Sequence, residues 1–272
     1  MNVIERLALV RSALYLPASN ARAVAKAQGL GCDLVILDLE DSVKPEDKAM
    51  AREAAVAALS AEWRAKLVVI RANGPDSAWH AEDVAALKLA GPDLVVVPKV
   101  EWSAEAAAVA DAVGVAVLAM IETPRGIYEA RAIAETDGVA GLIAGTNDLA
   151  HDLGLPPGSG RGGLALSLQS IVLAARVAGG VAFDGVYNRL DDAEGFATEC
   201  REGRALGFDG KTLIHPNQVD PCNALFGPDA AEVEDARAII EAATGGAERF
   251  RGRMIETMHV ATARRLLARA ES

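Results

Sequence analysis

Short apolar segments alternate with longer, Ala-rich segments of helical periodicity along most of this chain of 272 residues. The predicted strands cover residues 12–18, 34–40, 66–73, 94–101, 116–123, 141–148, 181–187 and 208–215. Strands that alternate with helices form βαβ units, whose strands lie parallel in one sheet. Eight such units in about 200–250 residues make a (β/α)8 barrel. We therefore predict an α/β fold, with a TIM barrel over residues 1–225.

The segment after the eighth predicted strand has a different pattern. "GPDAAEVEDARAIIEAATGG" is helical in pattern and ends at Gly245 and Gly246, which predict a hinge. "GRMIETMHVATARRLLARA" follows and predicts a final amphipathic helix. We predict that residues 226–272 form a C-terminal helical extension that packs at a subunit interface.

A doubly wound sheet is the structural alternative, and such sheets bind nucleotides through glycine-rich turns. "GSGRGG" at 158–163 has the spacing of a dinucleotide-binding turn, yet it follows "LPP" instead of a strand. "ALGFDGKT" at 205–212 ends like a phosphate loop but has Ala205 where the first glycine belongs. We interpret the first segment as a mobile loop and the second as a helix-to-strand turn.

The formal net charge of −11 constrains the class of partner. It argues against nucleic-acid binding, because contacts to phosphates need clustered Lys and Arg. Apolar residues make up 51% of the chain, but no apolar run approaches the ~20 residues of a membrane span. Cys32, Cys200 and Cys222 show neither metal-ligand nor disulfide spacing. We expect a cytoplasmic protein without nucleic-acid or membrane partners.

Polar residues stand at the predicted carboxyl ends of the strands, where barrel enzymes place their functional side chains. Glu122 and Asp148 end the fifth and sixth strands, and neighbouring strands would bring them together. On alternating positions, Asp148 shares a strand face with Ala144 and Thr146. Two carboxylates with waters and ligand oxygens are a usual ligand set of Mg²⁺. We predict a magnesium site there, with capping of the following helices as the alternative.

Arg71 ends the apolar run "LVVI", where a charged group needs a partner. Its planar guanidinium fits a carboxylate in a bidentate manner, and that carboxylate belongs either to a substrate or to Asp38 or Glu40. These two acids share a face of the second strand in "LVILDLED", while Asp41 points elsewhere or begins the loop. Three carboxylates within four residues disfavour joint ionisation unless a cation or hydrogen-bond donors lie nearby, so this cluster is a metal site, a substrate site or the solvated end of a strand.

Lys99 in "VPKVE" is a candidate Schiff-base nucleophile, but the nearby acids favour its charged form. We predict an ion pair of Lys99 with Glu101 or Glu122 instead. Of the four histidines, only His215 at the end of the eighth strand is placed to touch a ligand. A core or capping role for His215 is the alternative.

Nine motifs follow one another from about residue 11 to residue 260: "RSALYLPASN", "VILDLEDSV", "IRANG", "VVVPKVE", "MIETPRGI", "GTNDLAHDLG", "DGVYNRLDD", "LGFDGKTLIHPNQV" and "GRMIE". In this order they resemble the citrate lyase β-subunit (CitE-like) family. That family belongs to the wider malyl-CoA lyase and HpcH/HpaI aldolase superfamily. The resemblance covers nearly the whole chain.

The resemblance implies a (β/α)8 barrel that binds Mg²⁺ and cleaves a β-hydroxyacyl-CoA thioester by retro-Claisen chemistry. Citryl-CoA, malyl-CoA and citramalyl-CoA are the implied types of substrate. Glu122 and Asp148 match the family's metal ligands, and Glu122 then also lies against the substrate. Arg71 matches the arginine that contacts the substrate's carboxylate or carbonyl group.

The resemblance also implies roles for the acids around this site. Asp38, Glu40 and Asp41 would lie around the waters of the metal, with Asp38 or Glu40 facing it. In malyl-CoA-type relatives an aspartate from a neighbouring subunit completes the site, and this chain has Glu256 at that position. The implied catalytic set is therefore Arg71, Asp38, Glu40 and Glu256, in a homotrimer or hexamer.

Three other functions are compatible with the same motifs. One is hydrolysis of a malyl-CoA-type thioester to free CoA. Another is an HpcH/HpaI-type aldolase of 2-oxo acids, although the chain has no histidine before His80 to act as the early metal-bound base. The third is a CitE-like subunit that is active only within a larger complex.

Overall fold

The computed structural model describes residues 2–271. Parallel strands close into a barrel in chain order, and the last strand pairs with the first. The strands are β1 (Ser12–Pro17), β2 (Leu34–Asp38), β3 (Leu67–Arg71), β4 (Val95–Val97), β5 (Val117–Ile121), β6 (Val139–Ala144), β7 (Val181–Asp184) and β8 (Gly210–Leu213). The predicted (β/α)8 barrel is confirmed.

Helices connect the strands and cover the outside of the barrel. They are α1 (Val3–Leu7), α2 (Ala21–Ala27), α3 (Lys48–Ala58), α4 (His80–Ala90), α5 (Ser103–Val113), α6 (Pro124–Ala134), α7 (Thr146–Asp152), α8 (Ala165–Val177), α9 (Ala193–Leu206) and α10 (Val219–Phe226). Their starts follow from local sequence. The Thr123 hydroxyl, for example, accepts a hydrogen bond from the amide of Gly126, and Pro124 occupies the first position of α6.

The barrel has two apolar layers, because each strand is buried on both faces. Alternate strand residues such as Ile36, Val69, Leu118 and Phe183 fill the inside of the barrel. The residues between them pack outward against the helices in a second, larger cluster. Strands buried on both faces read as unbroken apolar runs, which is why the sequence predicts them well.

Several strands end earlier than their apolar runs predict. β6 stops at Ala144, and Asp148 lies in the first turn of α7, so the prediction that Ala144, Thr146 and Asp148 share one strand face is wrong. "GTND" starts a helix instead of ending a strand. β3 stops at Arg71, and Asn73 turns outward to hydrogen-bond with Asp83 of α4 (2.6 Å).

Residues beyond α10 form a small unit with its own core. It consists of α11 (Ala230–Ala242), a hairpin of β9 (Glu248–Phe250) and β10 (Arg253–Ile255), and α12 (Thr257–Ala270). The hairpin is a difference from the sequence prediction, which has "GRMIE" begin the final helix. Ala236, Ile239, Ile255 and Ala263 form the core of the unit. Arg269 connects α12 to the barrel through hydrogen bonds to the carbonyls of Val10 and Asp209.

Two further observations concern the chain from residue 2 to 271. None of its helices has both the length and the apolar character that crossing a bilayer requires. Cys32, Cys200 and Cys222 are buried and free.

Candidate active site

A cavity of about 330 Å³ opens at the carboxyl ends of the barrel strands. Residues at the ends of β1, β2, β3, β5 and β8 contribute to its wall, together with the first turn of α7. Its lining includes Tyr15, Asp38, Arg71, Glu122, Asp148 and Thr212. Four of the predicted site residues therefore meet in one cavity, at the end of the barrel where such sites lie.

Arg71 and Asp38 form an ion pair inside the barrel. They occupy the same register position on β2 and β3, so strand pairing places them side by side. Arg71 Nε lies 2.7 Å from Asp38 Oδ1, and Arg71 Nη2 lies 2.7 Å from Oδ2. Burial acts to raise the pKa of Asp38, but the charge and hydrogen bonds of Arg71 outweigh it and hold that pKa below its ordinary value. Among the possible partners of Arg71 that the sequence suggests, Asp38 is thus the one that binds it in a bidentate manner.

Glu40 extends this ion pair into a chain of charges. One oxygen, Oε2, lies 2.8 Å from Arg71 Nη1, and the other, Oε1, lies 2.5 Å from Lys99 Nζ. Asp41 is more exposed and stands 3.6 Å from the same ammonium group. The three acids of "LDLED" therefore face two cations, Arg71 and Lys99, and they act as a support for Arg71.

The prediction that Lys99 pairs with Glu101 or Glu122 is wrong, because its ammonium group contacts Glu40 and Asp41. The physical reason is the backbone: β4 ends before Pro98, and Lys99 has φ 54°, in the left-handed region. Burial lowers the pKa of Lys99, but the hydrogen bond and charge of Glu40 raise it more, so the net shift is upward. A lysine held charged in this way is a poor Schiff-base nucleophile.

Glu122 and Asp148 both line the cavity, close enough for Asp148 to affect the pKa of Glu122. Burial, the charge of Glu40 and the contact with Asp148 raise the pKa of Glu122 to about 8. The main-chain N–H of Lys99 donates to Glu122 Oε1 at 2.7 Å. A buried carboxyl with so high a pKa lacks compensating positive charge, and a divalent cation between the two acids would supply it.

The donor set fits a hard cation that keeps water. Within residues 2–271, no group of three or more His, Cys, Asp and Glu side chains has a metal-binding arrangement. Two carboxylates beside an open cavity are sufficient for Mg²⁺, which takes few protein ligands and retains several waters. Zn²⁺ sites, by contrast, need three or four protein ligands.

Gly145 makes the approach of the two acids sterically feasible. It lies between β6 and α7, and a Cβ atom there would stand 2.3 Å from Glu122 Cβ and 2.6 Å from Glu122 Oε2. Any larger residue would therefore displace Glu122 from Asp148. The glycine of "GTND" is required by this close contact.

Tyr15 is a site residue that the sequence does not reveal. Its ring lies 4.8 Å from the guanidinium carbon of Arg71, and its buried hydroxyl has no hydrogen-bond partner among the described residues. Burial raises the pKa of Tyr15, so the hydroxyl stays protonated. An aromatic residue in an apolar strand reads as core, and only the position of its oxygen beside the cavity indicates a contact with a ligand.

Comparison with known proteins identifies the family of the chain. The family model described as HpcH/HpaI aldolase/citrate lyase matches residues 11–216. The chain belongs to this family. A second model, described as C–C bond lyase of the TIM-barrel fold, matches residues 168–272, including the C-terminal unit.

The relatives of this chain have more than one described activity. A (3S)-malyl-CoA thioesterase of Cereibacter sphaeroides is 42% identical over 96% of this chain and 95% of its own length. A citrate lyase subunit beta-like protein of Deinococcus radiodurans is 37% identical over 96% and 97%. The crystal structure of CitE from Mycobacterium tuberculosis in complex with magnesium, acetoacetate and coenzyme A has a TM-score of 0.84 and 31% identity, over 97% of this chain and 98% of that one.

The residues that line the cavity do not include the predicted residues Glu40, Glu256 and His215. Glu256 precedes α12 in the C-terminal unit, where its main-chain N–H donates to His259 Nδ1 at 3.0 Å. His215 accepts a hydrogen bond from the amide of Asn217 (3.2 Å) and caps a short 3-10 turn, so the capping interpretation holds for it. The catalytic role of Glu256 stays a prediction.

The two glycine-rich segments meet in a buried ion cluster. Lys211 of "DGKT" is fully buried, with Nζ 3.0 Å from Asp184 Oδ2 and 2.7 Å from Glu199 Oε1. Arg161 of "GSGRGG" reaches the other oxygen of Asp184 at 2.5 Å. Both segments thus contribute a cation to ion pairs in the barrel wall beside β7 and β8. The sequence gives no signal for this cluster, because its members are far apart along the chain.

Proposed function

We propose that this protein is a Mg²⁺-dependent carbon–carbon lyase that cleaves a β-hydroxyacyl-CoA thioester. The observation that carries the proposal is the placement of Glu122 and Asp148, a carboxyl pair in need of a cation, opposite Arg71 in one cavity. The related CitE structure, a complex with magnesium and coenzyme A, supports both the cation and the substrate class. The substrate is of the malyl-, citramalyl- or citryl-CoA type.

In this proposal, Glu122 and Asp148 hold Mg²⁺, which supplies Lewis acidity toward the oxygens of the hydroxy-acid half. Arg71 binds the carboxylate or carbonyl oxygen and stabilises the negative charge that develops as the carbon–carbon bond breaks. Asp38 accepts two of the five N–H donors of Arg71 and Glu40 contacts Nη1, so a ligand can use only the donors of Nη1 and Nη2 that these acids leave free, on a guanidinium of fixed orientation. The burial of Arg71 strengthens these electrostatic interactions.

The C-terminal extension, residues 226–272, is proposed to act on a neighbouring barrel. Its separate core and the position of Glu256 outside the cavity of its own chain support this role. In a homotrimer or hexamer, Glu256 would complete the site of the adjacent subunit and provide an acid–base group there. We place this assembly in the cytoplasm, in line with its three free, buried cysteines.

Thioester hydrolysis is the second candidate, because the thioesterase of Cereibacter sphaeroides matches nearly the full length of both chains. The same cation and arginine would then serve a water that attacks the thioester carbonyl. A 2-oxoacid aldolase with a histidine base has less support, because none of the described residues that line the cavity is a histidine. A subunit active only in a complex is the remaining alternative.

The test is turnover of malyl-CoA, citramalyl-CoA and citryl-CoA by purified protein, with Mg²⁺ or with EDTA. Acyl-CoA products and free CoA are quantified separately. We expect metal-dependent release of a shortened acyl-CoA, lost in Glu122→Ala and retained in Glu135→Ala, whose carboxylate lies on the surface. Free CoA without carbon–carbon cleavage would establish the thioesterase. Absence of turnover with all three substrates would contradict a free-standing acyl-CoA enzyme.

A further inference from the structure

Lys99 is unusual in its backbone conformation. Among the non-glycine residues from 2 to 271, only Lys99 and Arg251 have positive φ. Such a conformation persists where surrounding contacts hold it, and it is concentrated at functional sites. At Lys99 its effect is specific: the main-chain N–H points at Glu122 Oε1, 2.7 Å away.

The side chain of Lys99 extends from the same position toward the other half of the site. Its ammonium nitrogen lies 2.5 Å from Glu40 Oε1, and Glu40 Oε2 lies 2.8 Å from Arg71 Nη1. The main chain of Lys99 thus holds Glu122, the carboxylate proposed to bind the cation. The side chain of Lys99 holds Glu40, the acid that supports Arg71.

We propose that Lys99 is a positioning residue that fixes the distance between the cation half and the arginine half of the site. The left-handed backbone is the element that allows both contacts, because φ sets the direction of the Lys99 side chain relative to the N–H of the same residue. This inference rests on the proposed function for the identity of the cation and for the choice of a 2-oxo acid as the probe. The two contacts predict two separable effects of substitution.

The main-chain contact is tested by Mg²⁺ titration of the purified full-length chain in a calorimeter, without substrate. Lys99→Met and Lys99→Ile both remove the ammonium group, but a β-branched residue is far less tolerant of positive φ. We expect Lys99→Met to keep the affinity of the wild type and Lys99→Ile to lose about tenfold, as when a hydrogen bond to a metal ligand is removed. Lys99→Gly, which adopts positive φ freely, should match Lys99→Met.

The side-chain contact is tested by titration of the Mg²⁺-loaded protein with pyruvate, a 2-oxo acid like the expected cleavage products. We expect Lys99→Met to weaken pyruvate binding by about tenfold, since Glu40 then loses one of the two cations that orient it beside Arg71. Lys99→Arg keeps the positive charge and should restore most of the affinity. Lys88→Met, on the exposed face of α4, is the matched control and should change neither titration.

Equal Mg²⁺ affinity in Lys99→Ile and Lys99→Met would overturn the main-chain role. Wild-type pyruvate affinity in Lys99→Met would overturn the side-chain role, and a lowered melting temperature with both affinities intact would show a purely structural residue. If Lys99→Ile fails to fold, Lys99→Ala against Lys99→Gly makes the same comparison. The Mg²⁺ titration needs neither turnover nor a substrate, so an inactive wild type would reject the proposed function and leave the test of the main-chain role decisive.

Discussion

Arg71 and Asp38 are joined by two parallel contacts of 2.7 Å each, and they lie at one register position of β2 and β3. Arg71 is 8% exposed and Asp38 is 1% exposed. The orientation of the guanidinium is thus set by strand pairing, before any ligand binds. A substrate carboxylate meets an arginine whose conformational entropy has already been lost during folding.

Asp38→Asn should destabilise the protein by about 3–5 kcal/mol, because it leaves a buried arginine with a weakened set of partners. The free energy of unfolding in urea measures this change. Asp41→Asn is the matched control: its side chain is 59% exposed, so a change within about 0.5 kcal/mol is expected. Equal effects of the two substitutions would contradict the structural role of Asp38.

The metal-free protein should lose stability as the pH rises from about 4.5 to about 8. The pKa of Glu122 rises from 4.5 to about 8 on folding, so the folded state binds this proton more tightly than the unfolded chain does. The stability from Glu122 is therefore complete below the unfolded pKa and disappears as the pH approaches the folded pKa, by at most about 1.4 kcal/mol per pH unit. Glu122→Gln removes this dependence. Urea unfolding of both proteins in EDTA across that range is the measurement, and parallel pH profiles would refute the assignment.

Gly145→Ala should weaken Mg²⁺ binding by about tenfold or more, because the added methyl group displaces Glu122 from Asp148. Calorimetric titration with Mg²⁺ tests this expectation. Gly29→Ala is the control, since a Cβ atom there has no neighbour within 4 Å. An unchanged Mg²⁺ affinity in Gly145→Ala would place the cation elsewhere.

Lys211→Met should cost about 3–5 kcal/mol of stability, because it leaves the carboxylates of Asp184 and Glu199 inside the protein without their shared ammonium group. Chemical denaturation provides the measurement, with the exposed Lys88→Met as reference. Lys211 does not line the cavity, so the Mg²⁺ affinity of the folded variant should stay unchanged. A stability loss below about 1 kcal/mol would show that the buried cluster relaxes around the substitution.

If Glu256 acts on a neighbouring barrel, two inactive variants should complement each other. Glu256→Ala and Glu122→Ala are each expected to lack activity as homo-oligomers. Mixed oligomers, formed by refolding the two together, should regain part of the wild-type rate, because some sites combine an intact Glu122 with an intact Glu256. Absence of recovery in oligomers shown to be mixed would place Glu256 at the site of its own chain or at none.

The sequence predicts the barrel better than it predicts where each strand ends. Buried strands leave continuous apolar runs, and these are sufficient to identify all eight. Their ends are harder to locate, because residues such as Asn73 and Asp148 continue the strand pattern while the backbone already turns. The C-terminal hairpin escapes prediction for a related reason: its strands have only three residues each.

The charged contacts of the site are only partly predictable. Strand pairing brings Arg71 to Asp38, since the two share one register position of β2 and β3. The approach of Glu122 to Asp148 also depends on the start of α7, because Asp148 lies in the first turn of that helix. The partner of Lys99 depends on one left-handed residue, which no periodicity reveals. Tyr15 has the pattern of a core residue, and its role as a cavity residue follows only from the location of its hydroxyl.

The seam between the first and last strands sets an order on folding. Ser12 of β1 pairs with Lys211 of β8. The second edge of β1 therefore stays unpaired until β8, near the end of the barrel sequence, has been synthesised. A nascent chain on the ribosome therefore carries an unpaired strand edge, the kind of edge that recruits other chains. Pairing β1 with β8 closes a long loop, so the chain loses conformational entropy before it gains the contacts of the closed barrel. Folding steps of this kind are slow.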